Sequence, residues 1–115
     1  MNIEYIREFC LALPHTTEDL PFDEDTLVFR IAGKIFALCG IENFSSINLK
    51  CDPERAVELR ERYNGVQPGY HMNKTHWNTV HVQSDVPEQL ILELIEHSYN
   101  IVRSSLPKKV RDTLV

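Results

Sequence analysis

Three short apolar segments, all between residues 27 and 50, constrain the fold of this chain most strongly. They span residues 27–31, 34–38 and 46–50. The first two flank Ala32-Gly33, and because glycine adopts a positive φ at little cost, this pair predicts a β-hairpin. In the third segment apolar and polar residues alternate, which is typical of a strand with one face in water. Strands joined by such short connections pair antiparallel, since parallel strands need longer crossovers.

Helices are predicted on both sides of this block, at residues 3–13, 53–63 and 85–106. Each places apolar side chains at helical spacing. Asn2 can cap the first helix by accepting a hydrogen bond from an otherwise unpaired amide. Asp52-Pro53 predicts the start of the second, because Asp caps and Pro suits the first helical position. Prolines follow the first and third segments and end those helices.

The remaining segments complete the predicted order of elements. Residues 15–26 are polar, acidic and interrupted by Pro21, so they are predicted to form a loop. Residues 77–83 alternate as a strand does, whereas residues 66–72 are ambiguous because Pro and Gly weaken a central strand. We therefore expect a single α+β domain over residues 1–115, in the order α-β-β-β-α-(β)-β-α. Its two layers would be an antiparallel sheet and helices packed on one face.

Composition narrows the class of protein. The chain has 115 residues, which suits one domain, and no apolar run approaches the roughly 20 residues that cross a bilayer. The first ten residues contain acids and no basic segment, so a secretory signal is not indicated and a cytoplasmic protein is expected. The three cysteines, Cys10, Cys39 and Cys51, form no CxxC pair. They are predicted to be reduced, partly buried thiols.

Charge is distributed unevenly along the chain. The net charge is −5, which is not typical of a nucleic-acid-binding domain. Residues 1–25 hold seven acids and one base, a net of −6, so the remaining 90 residues sum to +1. The segment from His97 onward holds four bases and one acid, a net of +3. A basic tail of this kind is usually a solvated helix end, yet it could also bind an anion.

Side-chain alternation predicts which residues lie on the sheet face away from the helices. This open face would carry one aromatic ring, two fixed cations and several hydrogen-bonding groups. Such a surface suits a planar or anionic ligand, because bases stack on aromatic rings and phosphates attract Lys and Arg. The alternative is that the aromatic ring is only a core or rim side chain. The predicted members are Arg30, Asn48, Lys50, Trp77, Thr79 and His81.

The polar segment PGYHMNKTHWNTV, residues 68–80, is the most unusual part of the chain. The segment contains His71 and His76, and His81 follows directly after it. The three histidines recur every five residues, which is neither a helical nor a strand period. Zinc needs three or four converging ligands, and no Ser, Cys or carboxylate is placed beside a catalytic base. We therefore predict no metal, no cofactor and no catalytic residue. The protein is expected to act by binding and not as an enzyme.

Lys74 and its neighbours suggest a different role for this segment. A turn rich in Lys, Asn, His and Thr presents many donors, which is what phosphate contacts need. The alternative is a hydrogen-bonded turn that caps the following strand. The segment contains no GxxxxGK[ST] and no GxGxxG, so the usual nucleotide-binding fingerprints are absent from the sequence.

Several motifs together resemble the MmcQ/YjbR family. They are ALP at residues 12–14, PF at 21–22, GKIFAL at 33–38, INLKCDP at 47–53, LRERY at 59–63, VQPGYHMNKTHWNTV at 66–80, SY at 98–99 and LPKKVR at 106–111. The resemblance implies a two-layer α+β fold like that of secretion chaperones, and a DNA-binding role. The acidic stretch Asp23-Glu24-Asp25 departs from the neutral, Gly-containing version expected there, which argues against DNA lying over that loop.

Two functions are consistent with these features of the sequence. The first is a non-enzymatic DNA-binding domain that contacts phosphates through Lys50, Lys74 and the basic tail. The second is a small-ligand or protein-binding module that uses the surface around Tyr70, His71 and Trp77. An enzyme using His71 or His76 is a third, weaker alternative. The candidate binding residues are Lys34, Asn48, Lys50, Tyr70, His71, Asn73, Lys74, His76, Trp77, Lys108, Lys109 and Arg111.

Overall fold

The computed structural model describes residues 1–114 and confirms the predicted α+β class with an antiparallel sheet. Asn2 caps the first helix through a 2.8 Å hydrogen bond from the Tyr5 amide, and the Asp52 side chain accepts from the Arg55 amide at the second. The elements are α1 (Ile3–Ala12), β1 (Thr16–Asp19), β2 (Thr26–Ile31), β3 (Lys34–Gly40), β4 (Ser46–Lys50), α2 (Pro53–Arg62), β5 (Val66–Pro68), β6 (Trp77–His81), α3 (Glu88–Ser105), α4 (Lys108–Arg111) and a 3₁₀ turn (Asp112–Leu114).

The six strands form one sheet in the order β1-β2-β3-β4-β6-β5, and every neighbouring pair is antiparallel. The prediction of a loop over residues 15–26 was wrong for its first part, because β1 lies there. Its sequence, TTED, has no apolar alternation, and its backbone pairs with β2 at the sheet edge. Ion pairs hold its side chains: Arg7 to Glu18, and Arg30 to Asp19 at 3.0 Å. The ambiguous segment after residue 65 supplies the other edge strand, β5.

The core lies between the helices and one face of the sheet. The pairing of β2 and β3 contains a β-bulge. Phe29 pairs with Ala37 and Arg30 pairs with Ile35, so Phe36 is the extra residue and has no partner on β2. As a result Phe36 and Ala37 are both fully buried on the core side, although they are adjacent in sequence. The α3 residues that pack there are Ile91, Leu94, Ile95, Ser98, Tyr99 and Val102.

Two adjacent residues of α3 attach it to this bulge. The Ser98 hydroxyl donates to the carbonyl of Phe36 and accepts from the Lys50 amide at 2.8 Å. The Tyr99 ring meets Phe36 edge-on with ring centroids 5.3 Å apart, and its hydroxyl donates to the Pro14 carbonyl at 2.6 Å. Ser98 therefore joins α3 to two central strands, and Tyr99 joins it to the end of α1.

The three cysteines are free and buried. Burial is the main reason that the pKa of Cys39 is raised to about 12 and that of Cys51 to about 11. Burial raises the pKa of Cys10 as well. Because the thiolate is the reactive form, these side chains behave as small apolar core residues. In the described part of the chain, no helix combines the length and apolar character needed to cross a membrane.

We expect the native protein to resist thiol labelling. At pH 8 Ellman's reagent should react with none of Cys10, Cys39 and Cys51 within minutes, because each thiol is buried and its pKa is raised. In concentrated urea the same reagent should titrate all three. Rapid reaction of one native thiol would contradict this assignment and would locate an opening in the core.

Candidate functional site

One row of side chains crosses the open face of the sheet through all six strands. In strand order its members are Asp19, Val28, Leu38, Asn48, Thr79 and Gln67. The predicted alternation on β4 and β6 is confirmed, since Ile47, Leu49 and Val80 belong to the core while Asn48 and Thr79 lie opposite each other on the other face. Part of this face is shielded from solvent, since Val28 is fully buried and Thr79 is only 7% exposed.

Two turns rise over this row and make a cleft. One follows β1 and carries Phe22, and the other follows β5 and carries Tyr70, His71 and Met72. The cleft has a volume of about 390 Å³. Its lining consists of Phe22, Thr26, Leu38, Cys39, Gly40, Ser46, Asn48, Tyr70, His71 and Met72. We call it the open-face cleft.

A second cleft of about 380 Å³ adjoins the open-face cleft. Ser46 and Tyr70 line both. Its other walls are Gln67, Pro68, Thr79 and His81. Tyr70, at 70% exposed, therefore stands between two concave surfaces that together run along β4, β6 and β5.

Close backbone contacts hold the Tyr70 turn on the sheet. The Gly69 amide donates to the Trp77 carbonyl at 2.8 Å, and a β-carbon at Gly69 would lie only 2.8 Å from Cβ of Trp77. Glycine is thus required by this approach of the two strands. The Tyr70 amide donates to the Thr79 hydroxyl at 3.0 Å, and His71 has a φ of +56°. These constraints bring the Tyr70 and His71 rings to a centroid separation of 4.0 Å.

The acidic stretch after Phe22 has a structural role. The Asp23 carboxylate accepts hydrogen bonds from the amides of Asp25 and Thr26, and the Thr26 amide is the largest cause of a lowered pKa for Asp23. Asp25 accepts from the amides of Ile41 and Glu42. Both carboxylates thereby hold the turn that positions Phe22, which accounts for two of the three acids that depart from the family pattern.

Arg60 of α2 fixes the second half of the polar segment. Its Nε donates to the Asn78 side-chain oxygen at 2.7 Å, and its guanidinium also donates to the carbonyls of Lys74 and Trp77. Asn78 is 2% exposed and points to the helix side of β6 beside Leu49 and Val80. Sequence reasoning missed Arg60, although it lies within the LRERY motif, because helical spacing alone does not show which residue faces the sheet edge.

The donor-rich turn at residues 73–76 uses its polar groups internally. The Asn73 side-chain oxygen accepts from the amides of Thr75 and His76, at 2.9 and 3.3 Å. The Lys74 ammonium donates to the Gly69 carbonyl at 3.0 Å. The Asn73 side chain therefore acts as the alternative prediction for this segment expects, by closing a hydrogen-bonded turn before the following strand. Lys74 and His76 are exposed.

The other predicted cations lie in different parts of the molecule. Lys50 is half-buried and directly opposite Trp77 on the open face, while Lys34 is exposed beside the β2–β3 turn. Lys108, Lys109 and Arg111 belong to α4, whose Val110 packs against the helix-side core. The basic tail is therefore attached to the helix layer, and Lys108 lies 3.7 Å from Asp112.

The histidines are also separated. His71 lines the open-face cleft, His81 lines the second cleft, and His76 is exposed in the turn between them. Among residues 1–114 the structure groups no three His, Cys, Asp or Glu side chains as metal ligands. Tyr70, His71 and Asn48 are thus the predicted residues that meet at one cleft, and Phe22, Leu38, Ser46 and Met72 are lining residues that were not predicted.

A family model described as YjbR matches residues 11–101, which includes every strand and the cleft just described. The chain belongs to the YjbR family. It is 31% identical to the uncharacterised protein YjbR of Escherichia coli K12, over all of this chain and 98% of that protein. It is 37% identical to the uncharacterised protein YbdF of Escherichia coli O157:H7, over 92% of this chain and 88% of that protein.

Solved structures of related proteins share the fold. The Deinococcus radiodurans protein DR2400, described as a DUF419 domain, superposes with a TM-score of 0.92 at 38% identity, over 98% of this chain and 87% of that one. A Pseudomonas syringae protein superposes with a TM-score of 0.74 at 32% identity, over 89% of this chain and 99% of that one. Family membership therefore accounts for the architecture.

Proposed function

We propose that this YjbR-family chain is a binding domain that takes a small ligand in the open-face cleft. The observation that carries the proposal is the pair of turns, one bearing Phe22 and the other Tyr70 and His71, that rise over the open face and make it concave. A bare sheet face would be flat. This is the second of the two hypotheses from the sequence, with the proposed binding site at Asn48, Tyr70 and His71 and without Trp77.

The dimensions and lining of the cleft support a small ligand. Ligand pockets occupy roughly 300–1,000 Å³ and are mostly apolar with a few fixed polar groups. The two adjoining clefts, at about 390 and 380 Å³, lie in this range. Phe22 and Tyr70 are 66% and 70% exposed, so both rings are available to contact a ligand. Neither ring is needed to complete the core.

Titration with toluene and benzamide, followed in ¹H–¹⁵N correlation spectra, tests the proposal. We expect millimolar concentrations of either probe to shift the amide signals of Asn48, Tyr70, His71 and Met72. Tyr70→Ala should weaken both probes about 5- to 10-fold, because one aromatic contact is worth roughly 1 kcal/mol. Tyr5→Ala is the matched control, since Tyr5 is a 43% exposed aromatic on α1 in the helix layer.

The opposing outcomes of this titration are distinct. If neither probe shifts the cleft amides at millimolar concentration, or if Tyr5→Ala and Tyr70→Ala behave alike, the small-ligand proposal is wrong. The sole tryptophan, Trp77, gives an independent fluorescence readout from the same sheet face.

DNA binding remains a second candidate, and the cross-strand pair of Lys50 and Trp77 favours it. A cation beside an aromatic ring on an accessible face is the arrangement that single-stranded nucleic acids use. The distribution of the other cations favours the small ligand, because the basic tail packs in the helix layer and the net charge is −5. A short DNA added at low salt in the same spectra distinguishes the two. Shifts at Lys50 that vanish with added salt would support DNA, and unchanged spectra would remove it.

A further inference from the structure

A series of hydrogen bonds crosses the floor of the two adjoining clefts and ends in a side-chain donor that bonds no protein group. The Tyr70 amide donates to the Thr79 hydroxyl, so the oxygen of Thr79 acts as acceptor there. The Thr79 hydroxyl in turn donates to the side-chain oxygen of Asn48. The direction of both hydrogen bonds is fixed, because a backbone amide can only donate and the hydroxyl has a single proton, which it gives to Asn48.

These two hydrogen bonds fix which end of the Asn48 side-chain amide faces the cleft. Since Oδ1 accepts the Thr79 proton, the NH₂ group is left with two donors and, among residues 1–114, no hydrogen-bond acceptor. Asn48 is half-buried and lines the cleft. Water can reach this donor, which is held in one orientation, and a ligand acceptor that displaces the water would pair with it.

The surroundings of this donor select against charge. Leu38, Met72, Phe22 and Tyr70 supply apolar walls, and the lining of the two clefts includes no Asp, Glu, Lys or Arg. The carboxylate of Asp25 lies near Gly40 at the rim, where its Oδ1 accepts the Ile41 and Glu42 amides, and His71 and His81 are the basic side chains of the lining. A charged group placed against these four apolar side chains would therefore lose water without gaining a counter-charge from them.

We propose that Asn48 is the specificity-determining residue of the cleft, and that its side-chain NH₂ donates to a carbonyl oxygen of an uncharged ligand with a flat apolar or aromatic body. This inference rests on the proposed function. Thr79 is a positioning residue, because it orients the Asn48 amide and holds the Tyr70 turn in the same network.

Probes of one shape and different polarity test the inference. Benzamide carries a carbonyl acceptor, benzamidine replaces that oxygen with a cationic donor group, and toluene has neither. We expect wild-type protein to bind benzamide about 3- to 10-fold more tightly than toluene, the usual contribution of one hydrogen bond, and benzamidine more weakly than either. Affinities would be measured from the amide shifts of Tyr70 and Met72.

Asn48→Asp supplies the decisive variant. The Asp carboxylate keeps an oxygen for the Thr79 hydroxyl and turns an acceptor toward the cleft, so benzamidine should now bind more tightly than benzamide. Asn48→Leu removes the donor altogether and should reduce benzamide to the affinity of toluene. Thermal unfolding of each variant checks the fold, and the Leu variant decides the question if the Asp variant does not fold.

The results separate this inference from the proposed function. If toluene and benzamide both bind with equal affinity, and Asn48→Asp leaves their order with benzamidine unchanged, Asn48 is not the specificity residue although the cleft binds ligands. If no probe binds wild-type protein, the proposed function itself fails. Reversal of the order in Asn48→Asp, with the affinity for toluene unchanged, is the result that supports both.

Discussion

Replacing Ser98 by alanine lowers the free energy of unfolding by about 2–4 kcal/mol, because two buried backbone groups lose their partner at once. The Ser98 side chain is fully buried, and its hydroxyl serves the Lys50 amide and the Phe36 carbonyl. Alanine leaves a space too apolar and small to replace both bonds with water. Urea unfolding followed by circular dichroism measures the change, as a lower midpoint with an unchanged slope.

Ser105→Ala is the matched control on the same helix. The Ser105 hydroxyl donates to the Val102 carbonyl at 2.7 Å, but the residue is exposed and water can take its place. We expect a change within about 0.5 kcal/mol there. Equal effects at the two positions would show that Ser98 contributes no more than a surface serine, and that α3 is held on the sheet by apolar contacts alone.

Replacing Arg60 by methionine should lower the free energy of unfolding by about 2–3 kcal/mol, since hydrogen bonds from a charged donor are worth more than neutral ones. Methionine keeps the apolar stem and removes only the guanidinium. The Asn78 side-chain oxygen and the carbonyls of Lys74 and Trp77 then lose their donor. Asn78 is 2% exposed, so the loss of its hydrogen bond from Arg60 should cost the most of the three.

The effect of Arg60→Met has a local signature as well as a global one. Amide hydrogen exchange should quicken in the turn at residues 73–77, because Arg60 ties that turn to α2. Arg60→Lys should recover little of the loss, since an ammonium cannot present the planar set of donors. Arg62→Met is the control: Arg62 is exposed over the Tyr63 ring at 5.4 Å, a contact worth about 0.5–1 kcal/mol. Similar losses for both variants would contradict the assigned role of Arg60.

The predicted helices and the central strands follow from local signals that the fold preserves. Asn2 and Asp52 cap helices as expected, and the alternation on β4 and β6 assigns Asn48 and Thr79 to the open face. These features depend on neighbouring residues in sequence. For the same reason they are visible without knowledge of what packs against them.

The first strand could not be predicted from such signals. Its residues, TTED, are polar, and the segment is a strand because β2 offers an unpaired edge beside it. The bulge at Phe36 is likewise a property of two strands together, since it depends on the register between β2 and β3. Pairing of this kind is decided by tertiary structure, which overrides the low strand propensity of Glu and Asp.

The candidate site was predictable only in part. The most specific motif contains Tyr70 and His71, which line the cleft, but the lining also includes Phe22, which is 49 positions from His71 in the sequence. The one local signal for Phe22 was a large aromatic residue directly after Pro21 in an acidic stretch. Lys74 was favoured as a phosphate contact, yet its ammonium bonds the Gly69 carbonyl within the turn. Its role in binding DNA stays a prediction.

The two ends of the sheet have a consequence for how copies of this chain meet in a crowded cell. β1 has four residues and carries two carboxylates, and β5 has three and ends at Pro68, which has no amide hydrogen to offer. An incoming strand from another molecule finds too few partners at either end to be held. The sheet is thereby protected against fibre-like stacking of copies. The open face can consequently remain exposed, aromatic rings included, without edge pairing drawing molecules together.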